Sequence, residues 1–70
     1  MSNNQYKVVA VERYGDTVLT NKKYASILED AREIYDKYKL NLNVVDVSIW
    51  YNDTELERYT RNKREERNTQ

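Results

Sequence analysis

An α+β domain of ββαββ order, with a four-stranded, largely antiparallel sheet and one amphipathic helix packed on one face, is the fold class this sequence predicts. Three observations carry it. A β-branched and aromatic run ends at Gly15-Asp16, a helix-period stretch follows Ser26, and a strictly alternating run from Val44 to Tyr51 ends at Asn52-Asp53. Short connections between these elements leave a single helix to cover two hairpins. Strand order is left open by the pattern.

Tyr6 to Tyr14 reads Tyr-Lys-Val-Val-Ala-Val-Glu-Arg-Tyr, residues suited to a half-buried strand, and Gly15-Asp16 has the chemistry of a two-residue type II′ or I′ turn. Pairing Tyr14 with Thr17 sets Val9 and Val11 on one face with Val18, Thr20 and Tyr24. Ala10, Glu12 and Leu19 then share the other. Ser26-Ile27-Leu28-Glu29 has the form of a capping box, which predicts a helix from here to about Leu40. Its apolar residues Ile27, Leu28, Ala31, Ile34, Tyr35 and Tyr38 form one stripe at about 100° per residue. Such a stripe can also receive a partner helix, but here it is expected to cover the sheet. The other side carries Glu29, Asp30, Arg32, Glu33, Asp36 and Lys37, with Glu33–Lys37 and Glu29–Arg32 at pairing distance along a helix. Asn41-Leu42-Asn43 breaks the period.

In the second hairpin Val45, Val47, Ile49 and Tyr51 alternate with Asp46, Ser48 and Trp50, and Thr54 to Thr60 returns with Leu56 opposite Ile49. The expected buried face is therefore Val45, Val47, Ile49, Tyr51 and Leu56. The domain is expected to span residues 6–60, between a disordered N-terminus at 1–5 and a charged mobile tail at 61–70 that contains no apolar residue.

Among 70 residues there is no His, no Cys, no Pro and one Gly. The usual neutral-pH base, the usual zinc ligands and the glycines of a phosphate cradle are all missing, so no cofactor or metal is implied. A chain this short buries only about 60% of the surface its unfolded form exposes, and helix packing or self-association as a homodimer are the supports open to it. Seven Tyr and one Trp, without Phe, supply much of the apolar volume. No apolar run approaches the roughly 18 residues of a membrane span, and no leader pattern opens the chain, so a cytoplasmic protein is expected.

The zero net charge is unevenly spread. Residues 1–28 carry +2, residues 29–57 carry −5 and residues 58–70 carry +3. With the helix on the Val45/Val47/Ile49 side, the opposite side of the second hairpin is expected to display Asp46, Ser48, Trp50, Glu55, Glu57 and Tyr59. An exposed indole inside a rim of carboxylates is suited to gripping a protein partner with a basic surface. The plainer reading makes Trp50 a cross-strand packing residue, or half of a dimer seam, with the acids solvating the sheet. Asp46, Asp53, Glu55 and Glu57 also permit a glycosidase pair or a divalent-ion site. A domain this thin offers little pocket to tune a carboxyl, and no basic residue is expected nearby to hold a substrate phosphate, so no enzyme is expected. Arg58, Arg61, Lys63, Arg64 and Arg67 form the one basic cluster, able to follow a nucleic-acid backbone though interrupted by Glu65 and Glu66.

The segments Tyr-Lys-Val-Val-Ala-Val-Glu-Arg-Tyr-Gly-Asp and Val-Val-Asp-Val-Ser-Ile-Trp-Tyr-Asn-Asp-Thr-Glu, with the helix between them, resemble the small accessory proteins of phages and prophages of low-GC Gram-positive bacteria. The resemblance covers roughly residues 6 to 60 and assigns no residue roles. It implies an inhibitor of a host or defence protein, acting inside a bacterial cell, in some cases by presenting acidic surface where nucleic acid would bind. The expected function is thus a non-enzymatic, protein-binding module. A nucleic-acid accessory protein acting through the basic tail and a homo-oligomeric structural protein are the alternatives.

Overall fold

The computed structural model describes residues 5–61. The strands β1 (Tyr6–Tyr14), β2 (Thr17–Ala25), β3 (Val44–Tyr51) and β4 (Thr54–Thr60) form one open antiparallel sheet, with helix α1 (Leu28–Leu40) between β2 and β3 in the chain. The spatial order is β2-β1-β3-β4, so the two hairpins meet along β1 and β3 and leave β2 and β4 as edges. The expected ββαββ architecture is the one observed.

Local chemistry explains the turns. Gly15 has φ 66° while Asp16 stays at negative φ, the sign pattern of a type II′ turn and not of I′, which needs both positive. Tyr14 pairs with Thr17 as the sequence predicts. In the second turn Asn52 takes φ 57°, a left-handed conformation that asparagine tolerates better than other side chains.

The core lies between α1 and one sheet face and consists of Val8, Ala10, Ala31, Tyr35, Val44, Val47 and Ile49, with Tyr6, Ile34, Tyr38 and Tyr59 packed around it. Two small residues, Ala10 and Ala31, leave room for the buried Tyr35 ring between helix and sheet. β1 therefore turns Val8, Ala10 and Glu12 inward and leaves Val9 and Val11 on the open face, grouped across the hairpin as predicted.

Five local expectations are corrected. The register of β3 against β1 slips between Val11 and Glu12, so that Glu12 pairs with Val44 and Val11 with Asp46. This bulge at Val45 reverses the side-chain parity, and Val44 rather than Val45 fills the core. A second slip sets Ile49 opposite Glu57 and Trp50 opposite Glu55, which leaves Leu56 as the extra residue, 47% exposed instead of buried opposite Ile49. The helix starts one residue later than a capping box requires: Ile27 is the N-cap, extended at φ −128° and ψ 154°, and no side chain caps it. Glu29 and Asp30 still lie in the first turn, where carboxylates complement the helix dipole. Ile27 and Leu28, expected in the stripe, are exposed, and Arg32 reaches across to β4 instead of pairing along its own helix with Glu29.

The folded unit also extends past Thr60. The Arg61 amide donates to the Val45 carbonyl at 2.8 Å, so the expected tail boundary after residue 60 moves out by at least this residue. The remaining terminal expectations, residues 1–4 and 62–70 with Lys63, Arg64 and Arg67, lie outside the described residues. Among the described residues no helix is long and apolar enough to cross a membrane.

Candidate functional site: the uncovered face of the sheet

Because α1 occupies one face, the side chains alternating with the core define the other. Across the four strands these are Val18, Thr20, Lys22 and Tyr24 on β2, Lys7, Val9, Val11 and Arg13 on β1, Asp46, Ser48 and Trp50 on β3, and Glu55, Arg58 and Thr60 on β4. Trp50 is held from two sides. Its indole N–H donates to Ser48 Oγ at 2.9 Å, and the ammonium of Lys7, its cross-strand partner, stands 5.7 Å from the ring centroid. With its one polar group satisfied internally, the indole offers apolar surface to anything that docks. It borders a shallow depression of about 300 Å³ shared with Lys7, Val9, Val11, Ser48 and Arg58.

The carboxylates behave differently from the rim the sequence predicts. Arg58 stands opposite Ser48 and donates to Asp46 Oδ2 at 2.8 Å while lying 3.3 Å from Glu55 Oε1. Its hydrogen bond with Glu55, and then the charge of Asp46, push the guanidinium pKa up. Thr60 adds a hydrogen bond to Asp46 Oδ1 at 2.9 Å. Asp46, Ser48, Trp50 and Glu55 thus do share the open face, but the two acids are compensated by one arginine. Glu57 and Tyr59 do not join them. The bulge at Leu56 turns both toward the helix, where Glu57 accepts from Arg32 at 2.7 Å and Tyr59 packs against the core beneath Lys39. Lys7, Arg13 and Lys22 fill the rest of the face, so its charge is mixed with a cationic bias. The acidic surface lies on the outer side of α1, at Glu29, Asp30, Glu33 and Asp36.

No family model matches the chain, and no curated protein or solved structure matches it. The site therefore rests on its own geometry.

The basic cluster is also partly spoken for. Arg58 is the clamp just described. Arg61 donates through its guanidinium to the carbonyls of Val44 at 3.1 Å, Lys39 at 2.9 Å and Asn41 at 3.4 Å, with the plane 5.6 Å from the Tyr59 centroid. Both serve the fold. Among the described residues no group of three or more His, Cys, Asp or Glu is placed to hold a metal ion.

One arrangement escaped the sequence reading. Glu12, 9% exposed on the core side of β1, accepts from Tyr14 Oη at 2.6 Å and from Asn21 Nδ2 at 3.0 Å. The bond from Tyr14, donated to a carboxylate, pushes that phenol's pKa up. The i, i+2 spacing of Glu12 and Tyr14 on one strand face was the available signal.

Proposed function

We propose that this protein is a binding module that works by surface contact with a protein partner and performs no catalysis, with the uncovered sheet face as the contact and Trp50 as its anchor. The observation that supports the reading most directly is the fixed Trp50: a large rigid aromatic, hydrogen-bonded to Ser48 and flanked by Val9 and Val11, on a face that no described element covers. The compensation of Asp46 and Glu55 by Arg58 changes the partner that fits. An apolar patch bordered by neutral or acidic groups complements Lys7, Arg13 and Lys22 better than a basic surface does. Inhibition of a host or defence protein, as in phage accessory proteins, is the narrower form of this proposal, since occupying a partner's site is all it requires. Nucleic-acid binding through the C-terminal arginines is less favoured, because Arg58 and Arg61 are engaged internally.

Affinity capture from nuclease-treated and untreated lysate of a low-GC Gram-positive bacterium tests the reading. Wild type, Trp50→Ala and Glu33→Gln, the last on the outer side of the helix, are compared. A protein retained by wild type and Glu33→Gln but lost with Trp50→Ala supports it. Equal retention by Trp50→Ala, or retention that disappears with nuclease, overturns it.

A further inference from the structure

The two edges of the sheet differ. β4 carries the Leu56 bulge, which interrupts its regular hydrogen-bonding edge, whereas β2 pairs with β1 without a register shift along nine residues. β2 also exposes Val18 (52%), Leu19 (47%) and Tyr24 (57%). Tyr14 and Thr17 close a two-residue hairpin and so form a hydrogen-bonded pair, which fixes the alternation beyond it. Thr17, Leu19, Asn21, Lys23 and Ala25 bond inward to β1; Val18, Thr20, Lys22 and Tyr24 aim their N–H and C=O groups outward.

We infer that the β2 edge is a self-association site, at which a second copy of this chain pairs antiparallel about a two-fold axis at Asn21. This register overlaps the whole of β2, and its pairs are self-complementary. On the open face Val18 meets the partner's Tyr24 and Thr20 meets the partner's Lys22; on the helix face Leu19 meets the partner's Lys23. No lysine stands opposite a lysine, whereas shifting the axis to Lys22 sets the two Lys22 side chains against each other. Charge adds to the fit. Leu19 is the neighbour of Glu12 in the next strand, so the partner's Lys23 enters the row that ends at a buried carboxylate whose hydrogen bonds come from a phenol and an amide, both neutral. The product is a continuous eight-stranded sheet with both helices on one side and the two Trp50 faces joined on the other. The strand edge is separate from the Trp50 anchor proposed above, although Lys22 borders both.

Sedimentation equilibrium across a range of concentrations, with circular dichroism to check folding, reads the association. Thr20→Lys sets lysine opposite the partner's Lys22 at both symmetry-related positions and should weaken the dimer about tenfold or more. Thr20→Lys with Lys22→Glu replaces both repulsions by attractions and should restore it. Thr20→Pro removes an outward donor while sparing the bonds to β1, and should yield a folded monomer. A wild type that stays monomeric overturns the inference. So does a dimer that Thr20→Lys leaves unchanged, or one that only Trp50→Ala dissolves, since that places the seam on the open face instead.

Discussion

The guanidinium of Arg61, just past the end of β4, donates to the main-chain oxygen of Lys39 in the last turn of α1 at 2.9 Å. Helix C-termini leave carbonyls without intrahelical donors, and Arg61 supplies bonds to this one and to Asn41 while also holding Val44. A residue that the sequence places in a solvated tail therefore ties the last strand to the helix. Arg61→Ala should lower unfolding stability by about 1.5–3 kcal/mol in urea denaturation, within the range of hydrogen bonds from charged groups. Arg61→Lys should recover only part of it, because one ammonium lacks the planar fork that serves several carbonyls at once. A chain ending at Thr60 should lose these bonds and be less stable than one ending at Arg61, so loss of binding on truncation after Thr60 would not by itself implicate the tail.

Ile49 and Leu56 are assigned to one buried face by alternation, yet only Ile49 is in the core. Ile49→Ala should cost about 2–5 kcal/mol, the range for deleting a buried aliphatic side chain, whereas Leu56→Ala should stay within about 0.5 kcal/mol of wild type. Paired urea melts decide it; equal costs would restore the unbulged register.

Burial pushes the Tyr35 phenol pKa up, with the nearby Glu57 carboxylate adding to the effect. An unfolded tyrosine releases its proton near pH 10, before the buried one does, so above that pH the folded state holds more protons and stability falls as pH rises. Below about pH 10 this contribution is fully present. Melting temperature should therefore decline through the alkaline range, and Tyr35→Phe should flatten the decline. A slope unchanged in Tyr35→Phe assigns it to other tyrosines.

Arg58 compensates Asp46 and Glu55 on the open face. Arg58→Gln should leave both carboxylates unpaired and create a local acidic spot beside Trp50, on a face where Lys7, Arg13 and Lys22 remain. The variant should be retained on a polylysine surface at low salt, with wild type retained more weakly and both released as salt rises. Equal retention would show that the clamp does not govern the charge of this face.

At Gly15 a methyl group would meet nothing within 4 Å, so Gly15→Ala tests backbone strain alone. With φ at 66° the substitution should destabilise by about 1–2 kcal/mol in thermal or urea unfolding, and a neutral result would mean the turn readjusts.

The elements were legible because each has its own local signal: β-branched runs, turn residues with the required backbone freedom, and a stripe at helix period. Face assignments within the first hairpin follow from the Tyr14–Thr17 pair alone. The second hairpin misled at two points, both bulges. The extra residue at Val45 flips Val44, which precedes it, the one at Leu56 flips Glu57 to Thr60, which follow it, and alternation within one strand carries no record of how its neighbour is registered. That is why Glu57 and Tyr59 were expected beside Trp50 and lie under the helix. Asp46, Ser48, Trp50 and Glu55 do share the open face, as alternation predicts, whereas the arginine that neutralises two of them falls by sequence in the basic C-terminal cluster. Arg58 is near the acids only across strands, a proximity that composition along the chain does not express.

The chain contains one tryptophan, and it lies on the uncovered face with its N–H bonded to Ser48 and an ammonium near its ring. Its fluorescence is consequently an unlabelled reporter of that one surface. Docking that strips water from the indole should shift its emission to the blue, contact confined to the β2 edge or the helix should leave the spectrum in place, and the seven tyrosines act as antennae that feed the same reporter.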